Sequence, residues 1–287
     1  MSDPVAALAA DPRLAEVSEG VRAALTDLRS HQALRRRSAE AAAEASVRAA
    51  RASAALSGAR VPVSMVRDAV RGVIDLPDDA AGLTVRGAIR ALAAVERLGA
   101  TWQRAPLQAL ASLHLAAAAG LVDDAALGRP RTAGELPGDG HDLLDDDGVE
   151  VPAPAGAALA SRLDSVVTLL SGAGTASALV VAGLAQAEVA VVRPFVAGNL
   201  VVARALARAV LIGRGLDPSG LSVWEGALLA RGPAYPLALA AYATQGRDGV
   251  IAWLQLFGEA VRDGVAEGRA VCDAVQAGRL PTLTGSA

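Results

Sequence analysis

Apolar residues recur at helical spacing along most of this chain, and the places where the spacing fails divide it. Residues 11 to 57 read as two helices broken near Ser30, with Asp11 as N-cap and Pro12 at the first helical position. Residues 78 to 99 and 106 to 119 read as two more, entered at Asp78 and Asp79 and stopped by Gly99 and Gly120. From Gly128 to Gly156 the periodicity is lost. Pro130, Pro137, Pro152 and Pro154 alternate there with glycines and with Glu135, Asp139, Asp142, Asp145, Asp146, Asp147 and Glu150. That composition predicts a solvated acidic loop. Core helices are expected over Ala157 to Ser171, Thr175 to Val192, Leu200 to Arg214, Leu221 to Ala230 and Tyr235 to about Gln245. A long last helix runs from Asp248 to Ala277 and stops at Gly278. The expected organisation is an N-terminal helical region (1–125), an acidic loop or flap (126–156), core helices (157–278) and a tail (279–287).

The sharpest interruption lies between two of the core helices. Pro194 fixes its own φ and pushes Arg193 out of the α region, so the upstream helix should end near Val192. Gly198 permits a tight loop, and Asn199 is placed to N-cap a helix beginning at Leu200. A helix N-terminus behind a glycine loop is an anion site in waiting, with Arg193 at the entrance and Arg204 about one turn inside. Read from the residues alone, the stretch is either a plain turn or a joint able to hold a phosphate.

The same stretch resembles the active-site motif of the Fic family, H-x-F-x-D/E-G-N-G-R-x-x-R. Phe195, Gly198, Asn199 and Arg204 match at the right spacing. Arg193 stands where the family has its histidine, Ala197 where it has the acid, Leu200 for the second glycine and Val201 for the first arginine. The resemblance covers roughly Ser53 to the C-terminus. It implies an all-α, Fic-like helical bundle with a short β-hairpin flap. Leu127 to Thr132 and Gly148 to Val151 are the candidate remnants of that flap.

A second, weaker likeness lies upstream. Ser53-Ala54-Ala55-Leu56-Ser57-Gly58 is similar to the inhibitory motif S/T-x-x-x-E-G/N of many Fic proteins, with Ser53 and Gly58 matching and Ser57 in place of the glutamate. In the family that glutamate pairs with the last arginine of the active-site motif. The resemblance places both halves of that regulatory pair in outline, Ser53 to Gly58 and Arg204, and leaves open whether this helix end still reaches Arg204. An ordinary alanine-rich helix ending in Ser-Gly is the alternative.

Composition supports the fold class. Hydrophobic residues make up 53% and aromatics 2% of 287 residues, so the core is mostly Ala, Leu and Val, which favours helix. The net charge of −3 gives no reason to expect nucleic acid or an anionic membrane as partner. The N-terminal stretch lacks a basic segment before an apolar run, and the most apolar stretches are short or carry His114, Gln186 and Glu188. The single cysteine, Cys272, suits a reducing cytoplasm. Arg35, Arg36, Arg37, Arg48 and Arg51 make a basic face expected to pair with Glu40, Glu44 and neighbouring acids. His114 lies on an apolar face with no second histidine or cysteine at metal-ligand spacing, and reads as a core histidine. Gly172-Ala173-Gly174-Thr175 lacks the third glycine and the preceding strand of a dinucleotide loop.

In an active Fic protein the histidine takes the proton of a target hydroxyl, the acid holds Mg²⁺, and AMP passes from ATP to another protein. Arg193 cannot be that base, because a guanidinium stays protonated. A lost general base costs about 10²–10⁴ in rate. Ala197 offers no side-chain oxygen to a metal, so Mg²⁺ binding is not expected. What survives is a candidate cationic pocket of Arg193, Gly198, Asn199 and Arg204, suited to ATP or another nucleotide. Three readings follow: a degenerate Fic-fold pseudoenzyme that binds a nucleotide or a protein partner, a transferase with remade chemistry, and a structural or homo-oligomeric helical protein with an empty site.

Overall fold

A computed structural model of the chain describes residues 4–172, 174 and 176–280. The expected helix start at Thr175, Ala173 of the glycine pair, and most of the 279–287 tail lie outside the described residues. In chain order the α-helices are α1 (Pro4–Ala9), α2 (Pro12–Arg29), α3 (Ser38–Leu56), α4 (Val63–Val70), α5 (Ala80–Leu98), α6 (Thr101–Arg104), α7 (Pro106–Ala118), α8 (Gly156–Ser171), α9 (Ala178–Val192), α10 (Asn199–Gly213), α11 (Trp224–Ala230), α12 (Ala234–Thr244) and α13 (Gly246–Gln276). Short 3₁₀ turns at Gln32–Arg35 and Asp124–Ala126 link some of them. The protein is all-α, and no strand forms among the described residues.

The helix ends follow the side-chain code. The Asp11 carboxylate accepts the Arg13 backbone N–H at 3.1 Å, and Asp79 accepts that of Gly82 at 2.7 Å. Two expectations need correction. The helix placed at Leu221 to Ala230 begins only at Trp224. Residues 221–223 are held extended because the Asp217 carboxylate accepts the N–H groups of Leu221 and Ser222, and Val223 donates to Gly264 O of α13. Helix α4, which follows Pro62, was not expected at all.

The helices before and after the 128–156 loop share one hydrophobic core. Its axis is the α9–α10 pair. Every residue from Asn199 to Leu211 is buried, as is nearly all of α9, which is why both read as apolar all round rather than amphipathic. Helices α3, α5 and α7 pack on α10, α8 lies on α9, and α13 runs between α9 and α2 with α11 and α12 beside it. Helix α13 comes very near the 221–224 segment at two glycines. A Cβ on Gly264 would stand 2.5 Å from Trp224 N, and one on Gly268 2.3 Å from Leu221 O. Within the described residues no helix is long and apolar enough to cross a membrane.

Candidate functional site

The joint between α9 and α10 sits at the end of the buried pair, and the 128–156 loop lies across it. Helix α9 ends at Val192, as Pro194 requires. Arg193 leaves the right-handed region but is left-handed (φ 47°, ψ 63°) instead of extended, alone among described non-glycine residues in its positive φ. Such a conformation costs about 1–3 kcal/mol and persists only where the surroundings hold it.

Those surroundings are the loop. Arg193 is completely buried. Its Nη1 donates to Gly140 O and to Glu150 Oε1, both at 3.0 Å, and its Nη2 donates to Val151 O. Gly140 (φ 80°) lies against the side chain, and a Cβ there would come within 2.8 Å of Arg193 Cδ. The Arg193 guanidinium holds the Glu150 carboxyl below the usual carboxylate range. A second buried arginine, Arg131, donates to the carbonyls of Arg193 (2.7 Å), Pro154 (2.6 Å) and Val192 (3.2 Å). Two arginines thus bolt the loop over the joint, and only Nε of Arg193 has no hydrogen-bond partner among the described residues.

Asn199 is not the N-cap. Gly198 (φ 76°) holds that position, and the Asn199 side chain turns back into the joint. Its Oδ1 accepts Phe195 N–H at 2.8 Å, while its Nδ2 donates to Phe195 O (2.8 Å) and to Asp139 Oδ1 (2.6 Å). The other oxygen of Asp139 accepts Leu200 N–H at 3.3 Å. A carboxylate of the protein's own loop therefore stands at the α10 N-terminus, the place where a helix attracts an anion.

Arg204 lies one turn inside α10 and is also buried. Its Nε donates to Ser53 Oγ (2.9 Å), and its Nη2 to Ser53 O (2.8 Å) and Ser57 Oγ (2.7 Å). Its Nη1 reaches the Tyr235 hydroxyl at 3.4 Å, which also accepts from Gln186 Nε2 at 2.8 Å. Burial raises the Tyr235 pKa, so the phenol stays neutral. Gly58 (φ 88°) ends the α3 turn that brings Ser57 into reach. The sequence could not say whether this helix end meets Arg204; it does, through hydroxyls and a carbonyl.

His114 is the core residue expected, and it has a task. Its ring stacks on Phe195 with centroids 3.9 Å apart. Nδ1 accepts Gly128 N–H at 2.9 Å, and Nε2 lies 3.2 Å from Ala197 O. One ring therefore joins α7, the start of the loop and the motif itself. Burial lowers its pKa to about 4, so it is neutral at physiological pH.

The hairpin flap survives only in outline. Asp145 N–H donates to Val149 O and Val151 N–H to Leu143 O around a tight turn, with an isolated antiparallel bridge at Leu144 and Glu150. Leu127 to Thr132 takes no part, since Arg131 N–H donates to Pro194 O instead. Of the basic face, Arg37 pairs with Glu40 and Arg48 with Glu44, but Arg35 and Arg36 pair with no described residue. Ala197 brings no side-chain oxygen, its carbonyl faces His114, and the described residues hold no group of three or more candidate ligands.

Comparison with known proteins gives the fold. No protein-family model matches the chain, and no curated protein matches it. Among solved structures it is similar to a Fic family protein from Desulfovibrio desulfuricans G20, with a TM-score of 0.72 and 20% identity over 95% of this chain and 77% of that one. It is also similar to Fic-1 (residues 134–508) from C. elegans, with a TM-score of 0.59 and 16% identity over 93% of this chain and 75% of that one. The chain has the Fic fold.

Asp139, Glu150, Arg131 and Tyr235 are the participants the sequence did not single out. Only a tertiary contact marks Asp139 apart from the six other acids of its loop.

Proposed function

We infer that this is a Fic-fold pseudoenzyme, a protein that transfers no adenylyl group and whose phosphate cradle is satisfied from within. The observation that carries the reading is the seat of Asp139, with its carboxylate against Asn199 Nδ2 and Leu200 N–H. A nucleotide phosphate would have to displace that carboxylate, which already has its hydrogen bonds made and adds no entropy of association. Reading Arg193 as remade chemistry finds less support, because its guanidinium is fully buried under Gly140 and Val151. The chain then serves as a folded module for a protein partner, and nucleotide is at most a weak ligand that enters when the loop is displaced.

Calorimetric titration with ATP, ADP and AMP, with and without Mg²⁺, tests this. Wild type should give no saturable heat at millimolar nucleotide, and Asp139→Ala should bind measurably. Labelled ATP with cell lysate should label nothing. Label transferred by wild type and lost in Arg193→Ala would sink the reading.

A further inference from the structure

At the far end of α10 from the motif, α3, α5 and α6 leave a cavity of about 460 Å³. This is the size range of small-molecule sites. Its floor is apolar, built from Ala42, Leu92, Val95, Ala209 and Ile212. Small residues keep it open. The indole of Trp102 fills the place of a side chain at Gly213, where a Cβ would meet Nε1 at 2.4 Å.

Apart from Arg208, the polar side chains around this floor are uncommitted among the described residues. Trp102 is buried, and its indole N–H has no hydrogen-bond partner among the described residues. An unpaired buried donor is a standing cost that an incoming acceptor relieves. The side chains of Ser46, Gln103 and Glu96 also line the cavity and have no partner among the described residues. The charges are asymmetric. Arg208, the cation in the lining, is already matched by Glu225 at 2.5 Å and by the carbonyls of Gly220 and Ser222, whereas Glu96 is exposed and unmatched. The cavity therefore presents an apolar floor, one buried donor and one free carboxylate. It suits a cation and disfavours an anion.

We propose that this cavity binds a small arylalkylamine, with its aromatic body on the apolar floor, its ammonium group at Glu96 and a hydrogen-bond acceptor for Trp102 Nε1, the indole tilting off Gly213 as the ligand enters. The site lies at the opposite end of α10 from the Asp139 contact and shares no residue with it, so it stands or falls independently of the pseudoenzyme reading.

Tyramine is the probe, because it carries an aromatic ring, a phenolic oxygen and an amine. 4-Hydroxyphenylacetate, with the same ring and the opposite charge, is the control. The readout is the indole ¹H–¹⁵N resonance of Trp102, assigned with Trp102→Phe and followed beside those of Trp224 and Trp253. Tyramine should move the Trp102 resonance saturably and leave the other two in place. The acid should bind roughly fivefold or more weakly, and Glu96→Gln should remove that preference. Ser46→Leu, a change at the half-buried rim that leaves the core intact, should abolish the shift. A Trp102 resonance unmoved by about 10 mM tyramine would overturn the proposal. So would equal affinity for amine and acid, or tyramine binding undiminished in Ser46→Leu.

Discussion

The carboxylate of Asp139 and the side-chain amide of Asn199 meet at 2.6 Å, joining the acidic loop to the residue that closes the motif turn. The Asn199 amide is fully used, since it also satisfies both the N–H and the C=O of Phe195. Asn199→Asp keeps the shape but removes the donor and sets two carboxylates face to face. Stability should fall by about 3 kcal/mol at pH 7 from the lost hydrogen bonds and the like charges. Part of the loss should return near pH 5, where one of the pair takes up a proton. Urea denaturation at the two pH values measures this, and an unchanged midpoint at pH 7 would refute the contact.

Arg193 ties the loop to the joint through its guanidinium. Arg193→Met preserves length and apolar packing but leaves Val151 O without its donor, Gly140 O with Leu143 N–H alone, and Glu150 without its arginine partner. The expected cost is about 2–4 kcal/mol, with the 138–151 segment losing hydrogen-exchange protection first. Arg193→His should destabilise similarly and gain no transfer of label from ATP, because Ala197 and Asp139 are unchanged.

The frame of this architecture was legible because helix ends are a local code. Pro194, Asp11 and Asp79 each act within a few residues of themselves, and each end fell where that chemistry put it. Asn199 misled for the same reason. An asparagine before an apolar run favours capping, but Phe195 and Asp139 compete for its amide, and Asp139 arrives from 60 residues away. The start of α11 was misplaced because the Asp217 carboxylate, itself buried, takes the N–H groups that a helix there would have used. Whether Ser53 and Ser57 meet Arg204 was beyond the sequence; they do, and the Ser57 hydroxyl stands where the family has a glutamate.

The neutrality of His114 makes stability depend on pH. Its folded pKa of about 4 lies below the unfolded value near 6.5, so protons favour the unfolded chain. The contribution is complete above pH 6.5 and is lost as pH falls from there toward 4. Over that window it amounts to about 3 kcal/mol at most. A protonated ring would also turn Nδ1 into a donor facing Gly128 N–H. His114→Gln, which keeps a donor and an acceptor, should flatten the dependence between pH 6.5 and 4.5. Parallel curves for the two proteins would place the acid sensitivity elsewhere.

Two helical glycines should respond oppositely to alanine. In α13, a Cβ on Gly264 would stand 2.5 Å from Trp224 N and 2.7 Å from Ser222 Oγ, so the helix must move off the 221–224 segment. That segment has no slack, because Val223 N–H donates to Gly264 O itself and Ser222 Oγ to Val261 O. Gly264→Ala should cost about 2 kcal/mol or more, the scale of an overpacked core. In α2, a Cβ on Gly20 would meet nothing nearer than Arg262 Cδ at 4.0 Å. There the gain in helix propensity should dominate, and Gly20→Ala should stabilise by about 0.5–1 kcal/mol. The pair of midpoints in one urea series is decisive, because the two substitutions add the same methyl group to a helix and differ only in what it touches.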